Sequence, residues 1–142
     1  MPKIGFIGAG PVGTAFGVQL SQLGYQVIAV YDVSPEAARR FVKRVPGCQI
    51  CQTAQKLVDR AELVFITTPD DFIPKVAAEL KWHPGQSVIH CSGATSADAL
   101  EPAKQQGAMV GSIHPCQTFA GIDQAIENLP GSTFAIEAEE PL

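Results

Sequence analysis

Four short stretches of this 142-residue chain hold residue types that could do chemistry. The first is Gly8-Ala9-Gly10-Pro11-Val12-Gly13, a G-x-G-x-x-G directly after the apolar run Ile4-Gly5-Phe6-Ile7. Glycine permits a tight turn at Gly8, close approach of a pyrophosphate at Gly10, and close helix–strand packing at Gly13. Ala9, Pro11 and Val12 complete the turn, and the free N–H groups and dipole of the helix it opens would hold phosphate oxygens. A glycine-rich hexamer alone is a weak signal, and its place between strand and helix gives it weight. Asp32 follows about 20 residues later, closing the next apolar run, where a carboxylate accepts from the adenosine ribose hydroxyls. That choice favours NAD over NADP, because a 2′-phosphate beside it would be repelled. Arg39, Arg40, Lys43 and Arg44 on the next helix stand against this, although they lie a turn or more past the phosphate position and read as a solvated face.

The other stretches are Thr67-Thr68-Pro69-Asp70, His90-Cys91-Ser92-Gly93 and His114-Pro115-Cys116, each expected just beyond the carboxyl end of a strand. Ligands of open α/β sheets bind at those ends. His114 is the best general acid/base candidate, since an imidazole titrates near neutral pH. It reads equally well as a histidine bonded to loop backbone and shaping the turn at Pro115. His90 would orient the same site or cap its strand, and His83, between Trp82 and Pro84, reads as a surface turn residue. A zinc site from His90, Cys91, His114 and Cys116 has suitable ligand types. Its H-C…H-P-C spacing matches no zinc pattern, and no metal is assigned. Cys48 and Cys51 form a C-x-x-C with no second pair and no helix following at once, so they read as strand cysteines.

Alternating short elements must position these residues. Strands are expected at Lys3 to Gly8, Val27 to Tyr31, weakly at Cys48 to Cys51, then Leu63 to Ile66, Ser87 to His90, Met109 to Ile113 and Thr133 to Ile136. Between them run helical periods: Val12, Ala15, Phe16, Leu20, Leu23; then Ala38, Phe41, Val42, Val45; Ala54, Leu57, Val58, Ala61; and Ile73, Val76, Ala77, Leu80. Pro11 and Gly24 bracket the first helix, Ser34 and Thr53 cap the second and third, and Thr95 with Asp98 forms a capping-box pair for the fifth. A short helix is expected around Ala125 and Ile126. Glu137 to Leu142 resembles the acidic, proline-bearing first turn of a further helix, which suggests a longer protein. Strands apolar on both faces, alternating with helices, predict an α/β fold: a doubly wound, mostly parallel sheet in three αβα layers, with residues 1–142 as one dinucleotide-binding domain.

Composition narrows the field further. The chain is 46% hydrophobic and 17% charged, the profile of a globular domain with one real core. A formal net charge of −4 gives no reason to expect nucleic acid or an anionic membrane as partner. No apolar run approaches the roughly 20 residues of a membrane span. Four cysteines without an export signal suggest a reducing, cytoplasmic setting.

With these residues in view, the chain resembles the N-terminal Rossmann-like NAD(P)-binding domains of the 6-phosphogluconate dehydrogenase-like superfamily. That group holds β-hydroxyacid dehydrogenases, pyrroline-5-carboxylate reductase and prephenate dehydrogenase. His90-Cys91-Ser92-Gly93-Ala94 and Gly111-Ser112-Ile113-His114-Pro115-Cys116-Gln117-Thr118-Phe119 are similar to a branch in which this domain precedes a helical domain of unassigned function. The resemblance implies an oxidoreductase using NAD or NADP, with Thr67, Thr68 and Pro69 beside the cofactor and Thr68 and Pro69 on its nicotinamide side. It implies that Ser92 and Gly93 match a substrate-contacting loop, and that His114 matches an active-site histidine of prephenate dehydrogenase. It also implies that the helical domain, absent from these residues, supplies part of the substrate pocket and a homodimer contact. The hydroxyacid dehydrogenases use a lysine from that region, which this chain lacks.

Hydride transfer between a nicotinamide cofactor and a small carbonyl, alcohol or imine is therefore the leading expectation, with catalytic residues His114 and Ser92. A non-catalytic NAD(P)-binding or sensing module needs the glycine turn and Asp32 alone. The 142 residues by themselves would bind cofactor without chemistry, because a half-site lacks the second wall that excludes water.

Overall fold

The computed structural model describes residues 2–91, 97–115 and 134–138. Its strands are β1 (Lys3–Ile7), β2 (Gln26–Tyr31), β3 (Gln49–Ile50), β4 (Leu63–Ile66), β5 (Ser87–His90), β6 (Met109–Pro115) and β7 (Phe134–Ala138). Its helices are α1 (Pro11–Gln22), α2 (Pro35–Arg44), α3 (Ala54–Arg60), α4 (Ile73–Glu79) and α5 (Glu101–Gln105). One sheet runs β3-β2-β1-β4-β5-β6-β7, with β1 to β6 parallel and β7 antiparallel to β6. The chain steps outward from β1 to β3, then returns to β4 on the other side of β1. That reversal opens a crevice between the carboxyl ends of β1 and β4. The doubly wound, mostly parallel α/β sheet expected from the sequence is what forms.

Side-chain alternation along the strands separates two cores. Ile4, Phe6, Val27, Val30, Phe65 and Ile89 face α1 and α2, whereas Ile7, Ala29, Val64, Ile66 and Val88 face α3, α4 and α5. The β1–β4 register sets Phe6 against Phe65, and their rings stack at 4.9 Å. Small residues let α1 lie close to its neighbours. A Cβ on Gly17 would come within 2.5 Å of the Phe41 ring. Leu23, expected on the buried stripe, is instead exposed at the C-cap of α1, and Gly13, Thr14, Gly17 and Val18 are buried in its place. The helix presents a broad small-residue face to the sheet rather than a narrow leucine seam.

Caps follow the sequence reading: Ser34 Oγ accepts from Ala37 N–H and Thr53 Oγ1 from Lys56 N–H. Gly24, at φ +93°, ends α1 with Tyr25 N–H bonded to Leu20 O and Gly24 N–H to Ser21 O, the Schellman arrangement. Three boundaries differ from expectation. The fifth helix begins only at Glu101, after a 3₁₀ turn at Ala97–Leu100, where Pro102 suits the first turn. β6 runs on through Pro115, and β7 extends through Glu137 and Ala138, the residues expected to begin a helix. Their antiparallel pairing supplies the backbone partners that keep both strands extended. Thr95 and the helix expected around Ala125 and Ile126 lie outside the described residues.

Three glutamines tie the amino ends of the strands together. Buried Gln86 donates from Nε2 to Val58 O at 2.6 Å and Ala61 O at 2.8 Å, while its Oε1 accepts from His83 N–H at 2.8 Å. Gln106 accepts from Trp82 N–H, and Gln55 both accepts from Lys81 N–H and donates to Lys81 O. Trp82 Nε1 donates to Ala77 O. Helix-terminal carbonyls and loop N–H groups that would otherwise lack partners are thereby satisfied. Among the described residues, no helix is long and apolar enough to cross a membrane.

Candidate functional site

The glycine turn leaves β1 at Gly8, whose φ of +111° is open to glycine and strained for other residues. A Cβ there would strike the Thr67 and Thr68 backbone at 2.7–2.9 Å. Gly8 N–H donates to Tyr31 O at 2.8 Å, and the Thr67 hydroxyl donates to Gly8 O at 2.7 Å. A Cβ on Gly13 would collide with Thr67 Oγ1 and lie 2.6 Å from Gly8 O. Gly10, by contrast, faces open space, with nothing within 4 Å of a Cβ. It is the N-cap of α1 and offers no side-chain acceptor, so the first-turn N–H groups that follow are uncapped.

The carboxyl ends of β1, β2 and β4 border a cleft of about 640 Å³. Its lining combines Gly8, Gly10 and Asp32 with Thr67, Thr68 and Pro69 after β4, and with Phe72, Lys75, Val76 and Glu79. Tyr31, Val33 and Ala54 also line it. Val33 is 87% exposed. Asp32 places Oδ2 2.7 Å from Ala9 N and Oδ1 2.8 Å from Ser34 N, accepting from both N–H groups. Thr68 Oγ1 is buried and has no hydrogen-bond partner among the described residues. An open glycine, an uncapped helix start and an orphaned hydroxyl fit a phosphate-bearing ligand with hydroxyl groups.

The structure brings most of the expected cofactor residues together. Gly8, Gly10, Asp32, Thr67, Thr68 and Pro69 line the cleft. Buried Ala9 and Gly13 stand behind it, and Pro11 and Val12 open α1. Ala9 N–H is taken by Asp32, which assigns Ala9 to the turn's framework. His114 lies within β6, paired with Ala135, and not in a loop beyond the strand. It sits two residues past Ser112, the partner of His90 at the end of β5. Its backbone is two strand spacings from β4, about 10 Å. Its side chain, together with Ser92, Gly93 and Cys116, lies outside the described residues.

His90 is fully buried and does not line the cleft. It shares a face of β5 with Val88, whereas Cys91 packs against the α1–α2 layer. The other two residues of the zinc alternative, His114 and Cys116, have side chains outside the described residues. Among the described residues no group of three His, Cys, Asp or Glu side chains could hold a metal. The Cys91 thiol is pushed up by burial. Burial, with the neighbouring Cys51, pushes Cys48 up to about 12 against a smaller opposing effect of Arg60. Cys48 and Cys51 are free thiols that flank the two-residue β3 instead of lying within a strand, and they pack into opposite cores. His83 is exposed, its Nε2 2.7 Å from Asp59 Oδ1.

Sequence reasoning missed part of the cleft's lining. Val76 was legible only as part of a buried helical stripe, and Phe72 and Lys75 carried no motif. Lys75 Nζ lies 5.6 Å above the half-exposed Phe72 ring. Apolar Val33 directly after Asp32 was the available signal.

The sequence profile of the Rossmann-like domain family matches residues 2–115. No curated protein sequence matches the chain. Among solved structures, a Bacteroides fragilis protein assigned as an NADP oxidoreductase superposes with a TM-score of 0.80 at 20% identity, over 99% of this chain and 52% of that one. Prephenate dehydrogenase from A. aeolicus, solved with hydroxyphenyl propionate and NAD+, gives 0.78 at 18% identity over 99% and 51%. The Mycobacterium tuberculosis 3-hydroxyisobutyrate dehydrogenase with L-serine gives 0.74 at 19% identity over 99% and 47%. The chain spans about half the length of these structures.

Proposed function

The chain belongs to the Rossmann-like domain family, and from that premise we propose that it is the dinucleotide-binding domain of an oxidoreductase. The reaction is hydride transfer between a nicotinamide cofactor and a small carbonyl, alcohol or imine. The observation that carries this reading is the glycine turn, uncapped and facing open space at Gly10, on the wall of a cleft that also holds Asp32 and Thr68. The pyrophosphate would take the first-turn N–H groups of α1. Thr68 Oγ1 would gain the partner it lacks. Apolar side chains in the lining, among them Val33, Ala54 and Val76, suit contact with a ring of the ligand.

Asp32 has two oxygens with about four acceptor positions, of which two are used, so it can still accept from ribose hydroxyls. Its charge disfavours a 2′-phosphate, and NAD is the proposed cofactor. When bound, the nicotinamide supplies or receives the hydride. The chain's own share is to bind and orient the cofactor, with His114 moving the proton and Ser92 contacting substrate. A further helical region, outside these residues, would close the second wall and pair two copies.

Calorimetric titration with NADH and NADPH tests the proposal. Binding of either supports it, and a higher NADPH-to-NADH affinity ratio in Asp32→Arg supports the cofactor choice. An unchanged ratio argues against that choice, and no binding at millimolar concentration of either cofactor argues against the proposal. A non-catalytic sensor would bind equally well, yet His114→Ala in a longer protein carrying the second wall would leave its function intact.

A further inference from the structure

Asp32 is read above as a ligand contact, but the bonds it makes are to the protein. Oδ2 accepts from Ala9 N–H and Oδ1 from Ser34 N–H, at 2.7 and 2.8 Å. Ala9 sits in the glycine turn ahead of α1, and Ser34 is the N-cap of α2, so one carboxylate couples two helix entrances. Across the turn, Thr67 donates its hydroxyl to Gly8 O, and Gly8 N–H is held by Tyr31 O. The Gly8–Ala9 segment is therefore bracketed from β2 and from β4. The fully buried Ala9 has its N–H committed to Asp32. That N–H is not a phosphate donor, and fixing it fixes the peptide that leads into Gly10.

We propose that Asp32 is a positioning residue for the pyrophosphate site. Its carboxylate holds Ala9 N–H and so aims the Gly10 and first-turn N–H groups of α1 before any ligand arrives, with Thr67 as the opposite bracket. This deepens the dinucleotide reading and rests on it. The requirement is for two acceptor oxygens. An asparagine has one, and its NH₂ would face either the Ala9 or the Ser34 N–H donor to donor. Electrostatics alone has the opposite sign, since removing a negative charge beside an anion site tightens anion binding.

Inorganic pyrophosphate separates the two roles, because it carries the anion and no ribose. Wild type, Asp32→Asn, Asp32→Glu and Thr67→Val are titrated with it, following the backbone amide resonances of Ala9, Gly10, Val12 and Gly13. Saturable shifts are expected in wild type. Asp32→Asn should bind about tenfold more weakly, the scale of one lost hydrogen bond to a charged group. Its free Ala9 amide should move upfield, reporting the broken bond. Asp32→Glu keeps the charge but misplaces the oxygens, and should also weaken binding; Thr67→Val should do so by a smaller factor. Equal or tighter binding in both Asp32 variants would overturn the proposal and leave Asp32 a ribose acceptor only. Silence of the whole turn in wild type would instead count against the dinucleotide reading itself.

Discussion

The two ends of the sheet solve opposite problems with similar materials. At the amino ends, Gln55, Gln86 and Gln106 reach across loops to partner backbone groups, and Trp82 is bonded through both its indole and its peptide nitrogen. At the carboxyl ends, glycine replaces the side chain that would cap α1, Gly10 faces open space, and the Thr68 hydroxyl is buried without a partner among the described residues. The amino end has its polar groups satisfied within the chain. Groups without partners at the other end are where the proposed ligand would bind. The carboxyl end is still not loose, since Asp32 and Thr67 fix the turn while leaving its donors free.

Breaking the amino end should give the largest effect and confine it to stability. Gln86→Met retains the volume but strands the Val58 and Ala61 carbonyls and the His83 N–H. Urea unfolding should show a loss of about 3 kcal/mol, with the dinucleotide Kd of the folded protein unchanged. Gly13→Ala attacks the other end, where its Cβ would force the turn off Thr67 and Gly8. Dinucleotide affinity should fall at least tenfold, about 1.4 kcal/mol, measured by calorimetry. Equal behaviour of these two variants in both assays would dissolve the distinction between the ends.

Thr68→Val sharpens the comparison because its two effects should have different signs. Removing an unpartnered buried hydroxyl should leave stability unchanged or raise it by up to about 1 kcal/mol, while dinucleotide affinity falls about fivefold. A stability loss in thermal unfolding would show that the hydroxyl has a structural partner. The smallest effect belongs to the exposed Asp59–His83 contact at the amino end. The hydrogen bonds from His83 and Gln55 hold the Asp59 pKa below its ordinary 3.8. Its contribution is thus present above that value and lost as pH falls through the lowered one. Asp59→Asn should show a small stability deficit at pH 6 that shrinks below about pH 4, read by urea unfolding.

What was legible in the sequence divides along the same line. Two-faced strands, helical periods and the caps at Ser34 and Thr53 are local patterns, and so is the glycine turn with Asp32 after the next strand. They were readable because each depends on neighbours within a few residues. Gln86 reaches Val58 and Asp32 reaches Ala9 across more than 20 positions, and periodicity carries no record of such partners. The burial of His90 and the extension of β6 through His114 depend on β6 and β7 beside them, which a strand-by-strand reading does not include. Thr67 was readable as a site residue, but its bond to Gly8 O was not.

The most direct test of the carboxyl-end site is a backbone amide NMR titration of the chain with NADH. The expected result is saturable shifts at Gly8, Gly10, Val12, Gly13, Asp32, Thr67 and Thr68, with Lys81 to His83, Gly85 to Ser87 and Gln106 to Ala108 unmoved. Shifts centred on those amino-end segments, or none anywhere at millimolar NADH, would contradict a dinucleotide site at the glycine turn.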